Sequence, residues 1–179
     1  MAIKTFNTGE ILTAGNTNTY LNNGGLVYIS ETTAAAVATK PLTGIFSSTY
    51  ENYRIIITNI TSNIAGLLTA TLGASNTTYS YGLYGWTYVG AADNLNLNSG
   101  AFWTIARTNS GVPASVTMDI YRPQIAAQTS FTSNSMGQTS SLLGGGTHAQ
   151  ATAYTDLTIG LFTAATFSAN IKIYGYRQA

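Results

Sequence analysis

Charge is what this chain has least of. Only seven of 179 residues are Lys or Arg and six are Asp or Glu, 7% in all, against roughly a quarter in ordinary soluble domains. The formal net charge is +1, and the charged residues stand singly. No basic stripe is available to neutralise phosphates, so nucleic acid is not expected as a partner. Cysteine is absent, which excludes disulfides and thiolate metal sites and leaves the redox compartment unread. No apolar run approaches the ~20 residues of a membrane-crossing helix. The start, Met1 to Phe6, has no apolar core of the kind a signal peptide carries. Three prolines are too few for a Pro-rich linker to a second domain. Heptads, collagen triplets and fixed-period repeats are missing, so no elongated shaft is encoded.

Groups for catalysis are equally scarce. His148 stands alone after a glycine run, without cysteine or a local acid to make a metal site or a proton relay, and reads as an ordinary loop histidine. Asp93, Asp119 and Asp156 lie far apart, Glu51 precedes a strand, and nothing pairs any two as a hydrolase requires. Asp93 beside Asn94 reads as a turn. Gly144-Gly145-Gly146 has no strand–loop–helix context or following Lys, so it is expected as a surface loop rather than a phosphate cradle. The chain is expected to be no enzyme and to use no metal or cofactor. Asn59-Ile60-Thr61 and Asn76-Thr77-Thr78 fit the glycosylation pattern, which arises readily by chance in so Asn- and Thr-rich a chain.

What fills the chain is Thr, Ser, Asn, Gly and Ala, with 12 tyrosines. Helical surfaces need Glu, Lys, Arg and Gln; strand surfaces are well served by Thr and Tyr, and turns by Gly, Asn and Ser. The expectation is an all-β protein with a neutral, hydroxyl-rich surface. A net charge near zero favours self-association. Apolar residues reach 45%, enough for one domain with its own core.

Strand signals recur from Phe46 onward. Tyr53–Thr58 is the strongest and reads as a strand buried on both faces. Leu67–Leu72, Thr78–Tyr81, Tyr84–Val89, Phe102–Ala106, Ser115–Tyr121, Gln128–Ser133, Leu157–Phe162 and Ala169–Tyr176 follow, with turn residues between. Val116, Met118 and Ile120 share one face. That gives about eight strands over ~130 residues, the spacing of an antiparallel β-sandwich or jelly roll. Residues 1–40 form an expected arm or docking segment, with a short strand at Leu26–Ile29 and Thr32–Ala38 readable as strand or helix. Residues 41–179 form the expected sandwich.

The aromatic run is the most suggestive local feature. Tyr79, Tyr81, Tyr84, Trp86 and Tyr88 fall within ten residues, and Phe102 and Trp103 follow. In an alternating strand half of such a set is core; exposed members stack on sugar rings or anchor a partner chain. Tyr84, Trp86, Tyr88 and Trp103 are the candidates for an interface or glycan contact.

Three motifs in order carry a resemblance. Phe6-Asn7-Thr8-Gly9-Glu10-Ile11-Leu12-Thr13-Ala14 with Asn18-Thr19-Tyr20-Leu21 resembles the opening of many tailed-phage virion proteins, mostly of marine and cyanobacterial phages. Phe46-Ser47-Ser48-Thr49-Tyr50-Glu51-Asn52-Tyr53-Arg54-Ile55 resembles the start of a β-sandwich module in the same group, with Glu51 where Asp is more usual. Ile159-Gly160-Leu161-Phe162 and Ile171-Lys172-Ile173-Tyr174-Gly175-Tyr176 resemble that module's ending. The matches touch both ends of the chain, which is short for a fibre. The resemblance implies a non-enzymatic structural protein at the virion surface, jelly-roll-like and commonly trimeric. It would be a capsid decoration, cement or knob subunit; the alternative is a tail-fibre or receptor-binding module contacting host glycans. Its partners would be copies of itself and major capsid or tail proteins. The arm would dock through Phe6, Ile11, Leu12, Tyr20 and Leu21, since an extended segment needs apolar anchors to offset its ordering entropy.

Overall fold

The computed structural model describes residues 7–11, 13, 25–137, 139–162 and 165–177. Among them are twelve strands and no helix. In chain order the strands are β1 (Leu26–Val37), β2 (Thr39–Leu42), β3 (Asn52–Ser62), β4 (Gly66–Leu72), β5 (Tyr79–Thr87) and β6 (Ala92–Gly100). Then come β7 (Trp103–Thr108), β8 (Ala114–Tyr121), β9 (Thr129–Met136), β10 (Ser140–His148), β11 (Leu157–Leu161) and β12 (Phe167–Tyr176). They form an eight-stranded sheet, ordered β1-β12-β3-β8-β9-β10-β5-β6, and a four-stranded sheet, ordered β2-β11-β4-β7. All ladders within the sheets are antiparallel.

Two hairpins extend a simpler plan. β5–β6 lies between β4 and β7 in the chain, and β9–β10 lies between β8 and β11. Without them, β1-β12-β3-β8 faces β2-β11-β4-β7. First strand beside last, and second beside second-to-last, is the interleaving of a jelly roll. The expected all-β sandwich is the observed fold. The two hairpins pair through β10 and β5 and double the larger sheet.

The core follows the period-two alternation. Tyr53, Ile55 and Ile57 of β3, Val116, Met118 and Ile120 of β8, and Ile171 and Ile173 of β12 point inward and are buried. They share one cluster with Leu68 and Leu72 of β4, Ile105 of β7 and Leu157 and Ile159 of β11. Each such side chain contributes about 1.5–3 kcal/mol by leaving water. β3 is not buried on both faces as its apolar run implied: Arg54, Ile56 and Thr58 are half-buried on the outer face.

Residues 26–40, expected as the later part of an arm, are built into the sandwich. β1 pairs with β12 from Leu26↔Tyr176 to Val37↔Phe167, and β2 pairs with β11. Ala34 of β1 and Leu42 of β2 enter the core. The weak hydrophobic pattern there has a physical reason, because both are edge strands with few inward positions. The glycine run is also corrected: Gly144-Gly145-Gly146 is the middle of β10, paired on both sides. A Cβ on Gly144 would fall on the carbonyl oxygen of Gly82, and one on Gly145 on that of Phe131. Glycine here admits close backbone approach rather than a flexible loop.

Candidate functional site

The inner and outer faces of β5 separate the aromatic run. Tyr79, Tyr81 and Leu83 point inward; Tyr84 and Trp86 point outward and are 68% and 64% exposed. Register places their neighbours. Tyr84 lies between Asn94 of β6 and Leu143 of β10, and Leu143 faces Asn134 of β9. Trp86 lies between Ala92 and Ser141, and Ser141 faces Met136. Small neighbours on both sides leave the indole standing free. Two residues back along β5, Gly82 faces Gly145 of β10, a bare patch of backbone. A Cβ on Gly82 would sit 3.8 Å from the Tyr84 ring, so that ring leans along the sheet over the glycine.

Tyr84, Trp86, Asn94, Asn134, Ser141 and Leu143 are among the residues that line a depression of about 450 Å³. A second depression, about 360 Å³, shares Asn134 and Leu143 with it and reaches Arg54 and Asp119. The charges at its far end, Arg54 and Asp119, close on each other. Arg54 Nε and Nη2 donate to the two Asp119 oxygens at 2.8 and 2.7 Å, and the Tyr176 hydroxyl donates to the same carboxylate at 2.8 Å. Burial pushes the Asp119 carboxyl up, but the hydrogen bonds from Arg54 and Tyr176 outweigh it and hold the group below its ordinary range. Burial and the Asp119 carboxylate push the Tyr176 hydroxyl up to about 12. Among the described residues, the side chains of Asn94, Asn134 and Ser141 hydrogen-bond to no other protein group. The amides are therefore available to a ligand.

A third depression, about 610 Å³, lies at the end of the sandwich among Tyr88, Met136, Val112 and Pro113. Tyr88 and Met136 are each 58% exposed, and Val89, next to Tyr88 in the chain, is 92% exposed.

The remaining candidates separate from this face. Trp103 is fully buried and is no surface contact. Its ring packs between Phe131 and Tyr79, at centroid distances of 4.6 and 5.2 Å, and its Nε1 donates to the Thr147 carbonyl. It sits on β7 at the margin of the small sheet, and the extension built by β5, β9 and β10 covers it. His148 is not a loop residue either. It ends β10, is fully buried and stacks on Tyr79 at 4.1 Å. Its Nε2 pairs with the Tyr154 hydroxyl at 2.8 Å, that hydroxyl donates to Gln150, and its Nδ1 faces the Thr78 hydroxyl at 3.3 Å. Asp93 is no turn former: it is buried on β6 and held by Arg107 of β7 through hydrogen bonds of 2.7–2.9 Å. Those bonds outweigh burial and lower its pKa. Of the arm anchors, Ile11 is 82% exposed; Phe6, Leu12, Tyr20 and Leu21 lie outside the described residues.

Leu143 and Asn94 escaped sequence reading because β10 is broken by glycines and β6 is rich in Asn; Asn134 of β9 lies one residue past the strand expected at Gln128–Ser133. The pair Leu95 and Leu97, two apart, was the one trace of β6.

No protein-family model matches the chain, and no curated protein matches it significantly.

Proposed function

We propose that the chain is a non-enzymatic structural subunit of a tailed-phage particle: a capsid decoration, cement or knob subunit that associates as a trimer and docks by its N-terminal arm. The sequence motifs at Phe6–Leu21, Phe46–Ile55 and Ile159–Tyr176 support the phage reading. The end patch supports association. Tyr88 and Met136 line one depression and are more than half exposed, and Val89, next to Tyr88 in the chain, is more exposed still; exposed apolar residues gathered in this way mark an interaction site. The acids offer little competing chemistry: Glu31, Glu51, Asp93 and Asp119 are each ion-paired to a Lys or Arg.

Light scattering on the purified chain tests the association. The expected mass is three times 18.8 kDa, and Val89→Asp with Met136→Asp is expected to give a folded monomer. A monomer at every concentration for the unaltered chain would overturn the trimer. Imaging particles with this chain labelled tests its place, and label absent from intact particles would overturn the particle reading.

A further inference from the structure

We propose that the outer face of β5, β9 and β10 is a binding groove for neutral oligosaccharide, centred on Trp86 and Tyr84. This rests on the groove alone and is independent of where in a particle the subunit sits.

The chemistry of a sugar chain is specific. Its ring faces are apolar and its edges carry hydroxyls that both donate and accept. A matching site needs flat aromatic faces and polar groups with both capacities, and an uncharged sugar needs no fixed charge. The groove has each of these. Trp86 and Tyr84 stand on one strand two residues apart, so their rings are rooted about 7 Å from each other. Their exposure is set by small flanking residues, Ala92 and Ser141 beside the indole and Gly82 beneath the phenol. The amides of Asn94 and Asn134 border them, and an amide offers two donors and an acceptor. Neither has a protein partner among the described residues. Among the described residues, no ionisable side chain other than Tyr84 lines the groove; Asp93, next to Asn94, is buried and held by Arg107, and Arg54 and Asp119 of the adjoining depression neutralise each other. An acidic polysaccharide would find no free cation there among the described residues.

A protein partner fits this face less well. A protein face covering the groove would have to satisfy both Asn amides beside the rings, because each buried polar group left without a partner carries its full desolvation cost. The apolar end patch at Val89 and Met136 is the better surface for a second copy.

Trp86 is its own reporter, because the only other tryptophan, Trp103, is buried. The full chain is titrated with neutral oligosaccharides of glucose, galactose, mannose and N-acetylglucosamine, and with oligogalacturonate as the anionic control. The expected result is a saturable change in Trp86 fluorescence with at least one neutral sugar, at a Kd on the order of 0.1–10 mM. Trp86→Phe, read by isothermal titration, is expected to weaken binding a few-fold. Trp86→Ala and Tyr84→Ala are each expected to weaken it about tenfold or more. Both side chains are exposed, so circular dichroism should stay unchanged. No response to any neutral sugar at about 50 mM would overturn the proposal, since binding weaker than that lies outside the affinities of specific sites. Equal binding by Trp86→Ala, or preference for oligogalacturonate, would overturn it as well. A fluorescence change that appears only on dilution of an oligomer would mean that a second copy covers the face, and would overturn it too.

Discussion

At His148 a neutral imidazole is enclosed by Tyr79, Tyr154, Thr78 and Trp103, with no carboxylate against it. Burial pushes its pKa below the ordinary 6.5. The unfolded chain therefore takes up this proton at higher pH than the folded one. The associated stability is complete above about pH 7 and is lost as pH falls through 6.5 towards the folded value, by at most about 1.4 kcal/mol per pH unit. Asp93 and Asp119, held below their ordinary range, lose their contribution only below about pH 4. Urea denaturation is thus expected to show lower stability at pH 5 than at pH 7. His148→Gln should lower stability at pH 7 by about 1–3 kcal/mol and flatten the difference between the two pH values. Equal stability of the unaltered chain at pH 5 and 7 would contradict the enclosure described. The same residue shows a limit of sequence reading. A glycine run before a histidine looks like a loop, and only the strands on either side reveal a buried one.

The element that decides the candidate site is β10. Its outward Leu143 and Ser141 border the aromatic rings, and its glycines let β9 and β5 approach on both sides. Gly145→Ala is expected to cost about 2 kcal/mol or more, because its Cβ would meet the backbone carbonyl of Phe131, which cannot turn aside. Gly137→Ala, in the turn before β10, should stay within about 0.5 kcal/mol, since its Cβ would meet only ordinary contacts of 3.7–3.9 Å. Thermal melts of the two variants check the contrast. If both melt alike, the glycines of β10 are not there for close packing. β8 and β12 were legible because inward Ile, Val and Met alternate with polar residues; β3 was legible as a strand from its apolar run, which hid that only one of its faces is buried. β10 and β6 were not, because Gly and Asn in a strand imitate a turn.

For the whole molecule the consequential strand is the last. β12 fits between β1 and β3, so the larger sheet cannot close until the end of the chain is in place. A chain ending after Leu161 would leave β1 without its pairing partner and one edge of β3 unpaired. It is expected to show no cooperative unfolding by circular dichroism, and a sharp transition would mean that the remaining strands fold without β12. Such distant pairings also make folding slow, in the millisecond-to-second range, because loop closure precedes most of the favourable contacts.

Composition by itself determined the class. A chain with so little charge and so much Thr, Tyr, Asn and Gly can surface strands and turns but not helices, and alternation in Ser115–Tyr121 and Ala169–Tyr176 fixes which side chains enter the core. The same alternation sorts Tyr79 and Tyr81 from Tyr84 and Trp86. Only the tertiary structure decided what each face meets. Trp103 and Trp86 are both tryptophans on strands, yet one is sealed beneath the added hairpins and the other stands between alanine and serine in the open. That difference depends on which strands lie alongside, a property of pairings between residues far apart in the chain.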